Sequence, residues 1–472
     1  MTGRAAKAGD VKRRMLRSGI CVAVAICAGL AAPVARGEGL PEALARAYQT
    51  NPQLNAERAR QRATDENVPQ ALAGYRPQIV ASLSAGLQAV RNLLPGNVYQ
   101  SATLKPWEIG VTVTQTLFNG YKTANSVRVA ELQVQSGREA LRNVGQGVLL
   151  DAVTAYTNVL ANQSLVEAQR SNVAFLRETV GITDRRLKAG DVTPTDTSQA
   201  EARLARGMAD LNAAEVNLAI SQATYTEVIG NPPGQLRPPE TVDRYLPRSR
   251  EDAIALASKE NPAVTAASFD VDVASTTIRV AESSLLPTVT LQGNASHSSE
   301  SDQSLTTFRT DQATIVGQIN APIYDGGTAA SQTRQAKEMA SQSRLVLDQI
   351  RNQARTASIG AWVANEGAKI AVSASESEVR AATVALQGVQ KEAAGGQRTT
   401  LDVLNSEQDL ISAKARLIGA QRDRVIASYT LLSAIGRLDV KTLALNTPDY
   451  LPEVHYHQVR DAWHGLRTPS GQ

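Results

Sequence analysis

The chain has 472 residues, with 49 Lys and Arg against 45 Asp and Glu, and only 4% aromatic residues. Its two cysteines, Cys21 and Cys27, both fall in the first 37 residues, so the rest has no disulfide, thiol chemistry or cysteine metal site. There is no phosphate-loop lysine motif and no Gly-x-Ser-x-Gly elbow, and three of the four histidines lie in the last 18 residues; we expect no enzyme, cofactor or metal site.

Residues 1–37 read as a secretory signal. Arg4, Lys7, Lys12, Arg13, Arg14 and Arg17 precede an apolar run too short for a permanent span, and Ala35 and Gly37 offer the small residues of a cleavage site. Neither cysteine has a lipidation context. Seven of the 49 basic residues and one of the 45 acidic ones fall in this segment, so 42 basic face 44 acidic residues in the remainder. That near-neutral balance argues against nucleic-acid binding.

The remainder is written twice. The stretch 43–60 answers 253–270, 74–85 answers 284–295, and 117–126 answers 323–332. "KAGDVTPTDTSQ" (188–199) answers "AGGQRTTLDVLN" (394–405), aligning Gly190 with Gly396 and Asp196 with Asp402. Gly230 answers Gly436, and Tyr156 answers Trp362. We place repeat 1 at 38–247, repeat 2 at 248–446 and a C-terminal tail at 447–472.

In chain order, repeat 1 predicts a helix over 42–76, strands over 77–91 and 106–118, a long helix over 120–189 and a shorter one over 196–229. Repeat 2 predicts a helix over 250–286, strands over 287–298 and 310–324, then helices over 326–394 and 402–435. The first helices end at Pro77 and Pro287. The strands alternate: Ile79, Ala81, Leu83 and Leu87 against Ser82, Ser84, Gly86 and Gln88, and Ile109, Val111 and Val113 against Gly110, Thr112 and Thr114. Runs of this length fit a transmembrane β-barrel with lipid outside and water inside, or a soluble sheet with one wet face. Four strands cannot close a barrel, so the sheet is soluble or several chains share one barrel; three chains give twelve strands. A 70-residue helix reaches about 105 Å, and two shorter helices stacked end to end match it. Such a wall of helices also fits a soluble coiled-coil scaffold.

The proline-rich segment 231–250 hands one repeat to the next, and the polar tail reads as peripheral or disordered. His455 and His457 would share a strand face in that tail, as a metal pair or as stray side chains. Trp107 beside Pro106 begins a strand, at a membrane-interface girdle or packed under the sheet.

"GQRTTLDVLNSEQDLISAKARL" followed by "LLSAIGRL", together with "APIYDGGTAASQTRQA", resembles the TolC family of bacterial outer-membrane export channels. The resemblance covers about 40–446 in both copies. It implies an α+β membrane protein: a homotrimer whose twelve strands form one outer-membrane barrel, continued by a helical tunnel that tapers to a closed periplasmic tip. It also implies partners, namely a periplasmic adaptor and an inner-membrane transporter of the RND or ABC type. The cargo would be drugs, toxic hydrophobic compounds or secreted proteins. The lack of lipidation points toward the secretion-type subgroup.

At the elbows the resemblance implies a lock. Thr195 and Asp196 match one side and Arg398 the other, while the family's tyrosine falls at Ala393. Of two acidic positions that form a selectivity ring, Asp402 matches the first and Asn405 replaces the second. The plainer reading is helix capping, with Thr195 or Ser198 as the cap and Glu201 completing a box.

Overall fold

The computed structural model describes residues 38–301 and 307–469; the signal segment 1–37 lies outside the described residues. Helices α1 (Leu40–Thr50), α2 (Pro52–Asp65) and α3 (Asn67–Leu72) come first. Strands β1 (Gln78–Ala85), β2 (Gln88–Leu94) and β3 (Val98–Asn119) follow, then α4 (Lys122–Ala189) and α5 (Pro194–Ile229). Repeat 2 runs α6 (Arg250–Glu260), α7 (Pro262–Glu282), β4 (Thr288–Ser301), β5 (Thr307–Asn320), α8 (Thr328–Ala394) and α9 (Thr400–Ala434); α10 (Pro452–Val459) is the last element among the described residues.

The sheet is antiparallel in the order β1-β3-β4-β5, with β2 continuing β1 along β3. Gln78 pairs with Thr114 and Thr288 with Asn320, which are the same pair once the repeat offsets are applied. The duplication therefore extends to strand register. Both faces of the sheet are open in one chain, and the odd-numbered apolar residues are bare: Leu83 is 74% exposed and Ile315 80%. A surface of that kind needs lipid or another chain over it.

The first hairpin corrects the expected strands 77–91 and 106–118. It continues without change of register through Leu94 and Val98 and turns at Pro95, Gly96 and Asn97, where Gly96 (φ 96°) and Asn97 (φ 57°) take left-handed backbone. Among the described residues β4 pairs with β3 no further than Lys105, and residues 88–104 pair with each other as a two-stranded arm. At the other end β5 stops at Asn320, short of the expected 324, because Pro322 cannot donate to a ladder.

The expected helices over 42–76 and 250–286 are each broken at an Asn-Pro step, because the residue before proline is pushed out of the helical region. The break is built as a splice. Asn51 Oδ1 accepts from Gln53 N and Leu54 N, capping α2, while its Nδ2 donates to Val228 O near the end of α5 at 3.2 Å. Asn261 repeats this with Ala263 N and Ala434 O. One side chain thus satisfies orphan groups at the start of one helix and the end of another. Gly436 closes the approach: its φ is 83°, and a Cβ there would meet Glu260 O at 2.3 Å. In this way α5 and the α2–α3 pair stack end to end beside the 68-residue α4, and α9 and α7 beside α8.

The main core lies at this level. Leu149, Val153 and Tyr156 of α4 meet Tyr225 and Ile229 of α5 and Leu431, Leu432 and Ile435 at the end of α9. The Tyr156 hydroxyl accepts from Arg237 N (3.1 Å) and reaches the carbonyls of Arg237 (2.7 Å) and Glu38 (2.8 Å), tying the proline-rich segment to the wall. Arg424 binds Asp243 of the same segment and Asn365 of α8.

Of the two forms expected for the tail, its described residues take the peripheral one. It lies along α2 and α4: Arg58 packs over the rings of Tyr48 and Tyr450, and Glu453 pairs with Arg138. His455 and His457 lie on α10, two residues apart on a helix, so they do not share a face. His455 Nδ1 lies 3.0 Å from Oδ2 of the fully buried Asp65, whose Oδ1 accepts from Gln61 Nε2. No group of three metal-binding side chains occurs among the described residues.

Replacing Asn51 or Asn261 by alanine removes a cap and a partly buried hydrogen bond together. Each substitution should cost about 1–3 kcal/mol, read as a lower thermal midpoint of the helical signal in detergent. An unchanged midpoint in both variants contradicts the splice.

Candidate functional site

The two elbows stand at the end of α4 and α8 away from the sheet, about 100 Å along α4 from β3. Gly190 (φ 80°) ends α4: its N–H bonds Leu187 O at 3.0 Å, and Asp191 N bonds Arg186 O at 2.9 Å. Gly396 (φ 77°) does the same after α8, with Ala393 O at 3.1 Å and Gln397 N on Glu392 O at 2.9 Å. Left-handed backbone with this pair of bonds turns the chain sharply and satisfies the last carbonyls.

The following helices begin two residues earlier than expected, at Pro194 and Thr400. Thr193 and Thr399, not Thr195 or Ser198, are the caps, and Asp196 and Asp402, not Glu201, complete the boxes. Asp196 Oδ2 accepts from Thr193 N (2.9 Å) and from its hydroxyl (2.8 Å); Asp402 Oδ2 accepts from Thr399 N (3.0 Å) and its hydroxyl (2.8 Å). These bonds, the backbone one first, hold both carboxyls below the ordinary aspartate range. The signal for the boxes was present in sequence: "TPTD" and "TTLD" carry the same Thr-x-x-Asp spacing.

The remaining expected residues separate. Within one chain Arg398 does not meet Asp196. Its Nε donates to Glu392 Oε2 at 3.0 Å, across its own elbow, because a partner six residues away is ordered with the turn itself. Thr195 sits exposed in the first turn of α5. Asn405 Oδ1 accepts from Arg203 Nη2 at 2.9 Å. Sequence reasoning missed Arg203, since a contact across 202 residues leaves no local pattern. Trp107 lies in β3 between Ala85 and Ser299, half exposed, with its ring 5.2 Å from that of His297.

The caps carry a pH signature. A carboxyl with a lowered folded-state pKa stabilises above its unfolded value and loses that contribution as pH falls through the folded one. Deuterium uptake at 190–199 and 396–405, corrected for intrinsic rates, should stay flat from pH 7 to 5 and rise only below the ordinary value of 3.8. A rise starting above pH 5 contradicts the assignment.

The sequence profile of the outer membrane efflux protein family matches residues 43–231 and 253–437, one segment in each repeat. The outer membrane efflux protein BepC of Brucella suis is 39% identical over 448 residues, covering 94% of this chain and 95% of that protein. The outer membrane protein TolC of Vibrio cholerae is 27% identical, covering 85% and 91%. Among solved structures, the CmeC outer membrane channel of Campylobacter jejuni superposes with a TM-score of 0.76 at 14% identity, covering 89% of each chain, and so shares the fold. The duplicated α+β fold with helices of tunnel length is therefore that of an outer-membrane channel rather than of a soluble scaffold. The chain belongs to the outer membrane efflux protein family.

Proposed function

We propose that three copies of this chain form one passive duct from the periplasm to the exterior, gated at the elbows. The observation that carries the assembly is the open four-stranded sheet. In a bilayer the unpaired edges of β1 and β5 would each leave backbone groups without partners, and each group costs several kcal/mol. Twelve strands remove every edge and leave room for a water-filled lumen. The bare apolar residues Ile79, Leu83, Ile315 and Ile319 then face lipid, and Trp107 sits in the interfacial girdle.

The helices extend the duct inward, and the six elbows of a trimer gather at its inner end. In the closed tip, Arg398 of one elbow reaches Thr195 and Asp196 on the elbow of a neighbouring copy. Asp196 still has Oδ1 free for this, since both cap bonds use Oδ2. Ala393 offers no hydroxyl to reinforce the contact. Asp402 forms a ring of three carboxylates, and Asn405 leaves that ring without a second tier, which lowers the preference for cations.

A duct without its own energy source needs partners. A periplasmic adaptor and an inner-membrane transporter, of the RND or ABC type, would deliver drugs, toxic hydrophobic compounds or secreted proteins. The 39% identity to a protein named for efflux supports the efflux side of this reading over protein secretion.

Purified from outer-membrane fractions in detergent, the protein should run as a heat-modifiable trimer and conduct ions in a planar bilayer. Arg398→Ser should raise single-channel conductance, and Asp402→Asn should abolish any cation preference in the reversal potential. A soluble periplasmic monomer sinks the channel reading, whereas conductance unchanged in Arg398→Ser sinks only the lock.

A further inference from the structure

Each protomer contains two long hairpins, α4–α5 and α8–α9. Near the elbows they meet through apolar side chains: Leu404 of α9 packs against Leu176 of α4 and Ala200 of α5. One residue further along α9, Asn405 Oδ1 accepts the bond from Arg203 Nη2. Among the described residues this is the one hydrogen bond or ion pair that joins the two hairpins. The other charged side chains of these helices bond within a hairpin, as Arg170 does with Glu215 and Arg416 with Glu378, or reach the proline-rich segment, α7 or the tail, as Arg424, Lys337 and Arg138 do. Nor is the contact duplicated: the equivalent positions in the other repeat are Asp409 and Gln199, a pair for which no bond forms.

Apolar contacts between helices slide with little directional cost, while a hydrogen bond from a guanidinium fixes both distance and angle. Any movement of one hairpin past the other near the tip must first break this bond. Because its acceptor is a neutral amide and the pair is partly solvated, it opens far more readily than a buried ion pair.

We propose that Arg203 is a positioning residue of the gate, clasping the two elbow hairpins of one protomer through Asn405 so that the tip stays closed. This rests on the reading of the elbows as the tunnel tip. Arg203 acts through hairpin position, not by touching cargo. Its clasp is internal to the protomer, and so is separate from the contact proposed for Arg398 between protomers.

The test is single-channel recording of full-length trimers in planar bilayers, each variant first checked as a detergent-stable trimer. R203A and N405A should each raise the ratio of open to closed dwell time by about three- to tenfold, the range for losing one solvent-exposed hydrogen bond. The double variant should do no more than either alone, a non-additivity that general loosening does not produce. N405D turns the clasp into an ion pair and should lengthen closed dwells. If R203A and N405A leave gating unchanged while R398S alters it, the clasp is wrong and the tip reading stands. If none of these substitutions alters gating, the tip reading fails and the clasp with it.

Discussion

Everything in this molecule follows from two unpaired strand edges. The chain makes four long ladders of residues and leaves β1 and β5 with open backbone on their outer sides. In water such edges are managed with charge, proline or a covering helix. Here the edge strands carry Ile79, Leu83, Ile315 and Ile319 on one face, which exposes apolar surface and backbone at once. Only closure by further copies satisfies both. A closed barrel has a lumen, and a lumen needs a wall beneath it, which the 68- and 67-residue helices supply.

That wall raises a second problem. A long helix can pack along its whole length only against something equally long, and each repeat supplies two shorter helices instead. The Asn-Pro splice solves it with local chemistry. Asn51 and Asn261 satisfy a helix start with one end of the amide and a helix end with the other, and Gly436 lets the backbones touch. The main core, the proline-rich segment and residues 438–445 converge at this level, which makes it the stiff girdle between sheet and elbows. Movement is then left to the far ends of the hairpins, where a small apolar cluster around Leu404 and the single Arg203–Asn405 bond join them.

Much of this architecture was legible in the sequence because duplication amplifies weak signals. Period-two alternation in one segment is ambiguous, but the same alternation at a fixed offset, in the same register, is not. The elbows were found in the same way, through Gly190 and Gly396. The Thr-x-x-Asp boxes were on view and were misassigned by two residues, because Thr195 and Ser198 compete as caps and only backbone geometry decides between them. What could not be read were contacts between distant segments that break the repeat. Arg203–Asn405, Asp65–His455 and Arg424–Asp243 each join distant residues by a bond that the other copy does not repeat among the described residues, and no local pattern announces them. The tail's anchors on α2 and α4 were hidden for that reason, although its polar composition marked it as peripheral.

The shared barrel is the claim on which the rest depends, and the repeat specifies how it closes. Within a chain β3 pairs β4 with Val113 opposite Gly293. Carried across the repeat offsets, that register sets Ile319 of β5 opposite Leu83 of β1 in the next copy. Residues 38–472 contain no cysteine, so L83C/I319C introduces a clean pair. Antiparallel neighbours lie about 4.5–5.5 Å apart at Cα, within disulfide reach. Oxidation of the double variant in outer membranes should yield covalent trimers on a denaturing gel, absent from either single variant and reversed by reductant. Monomers alone after oxidation, with both thiols still free, would contradict a barrel built from three chains in this register.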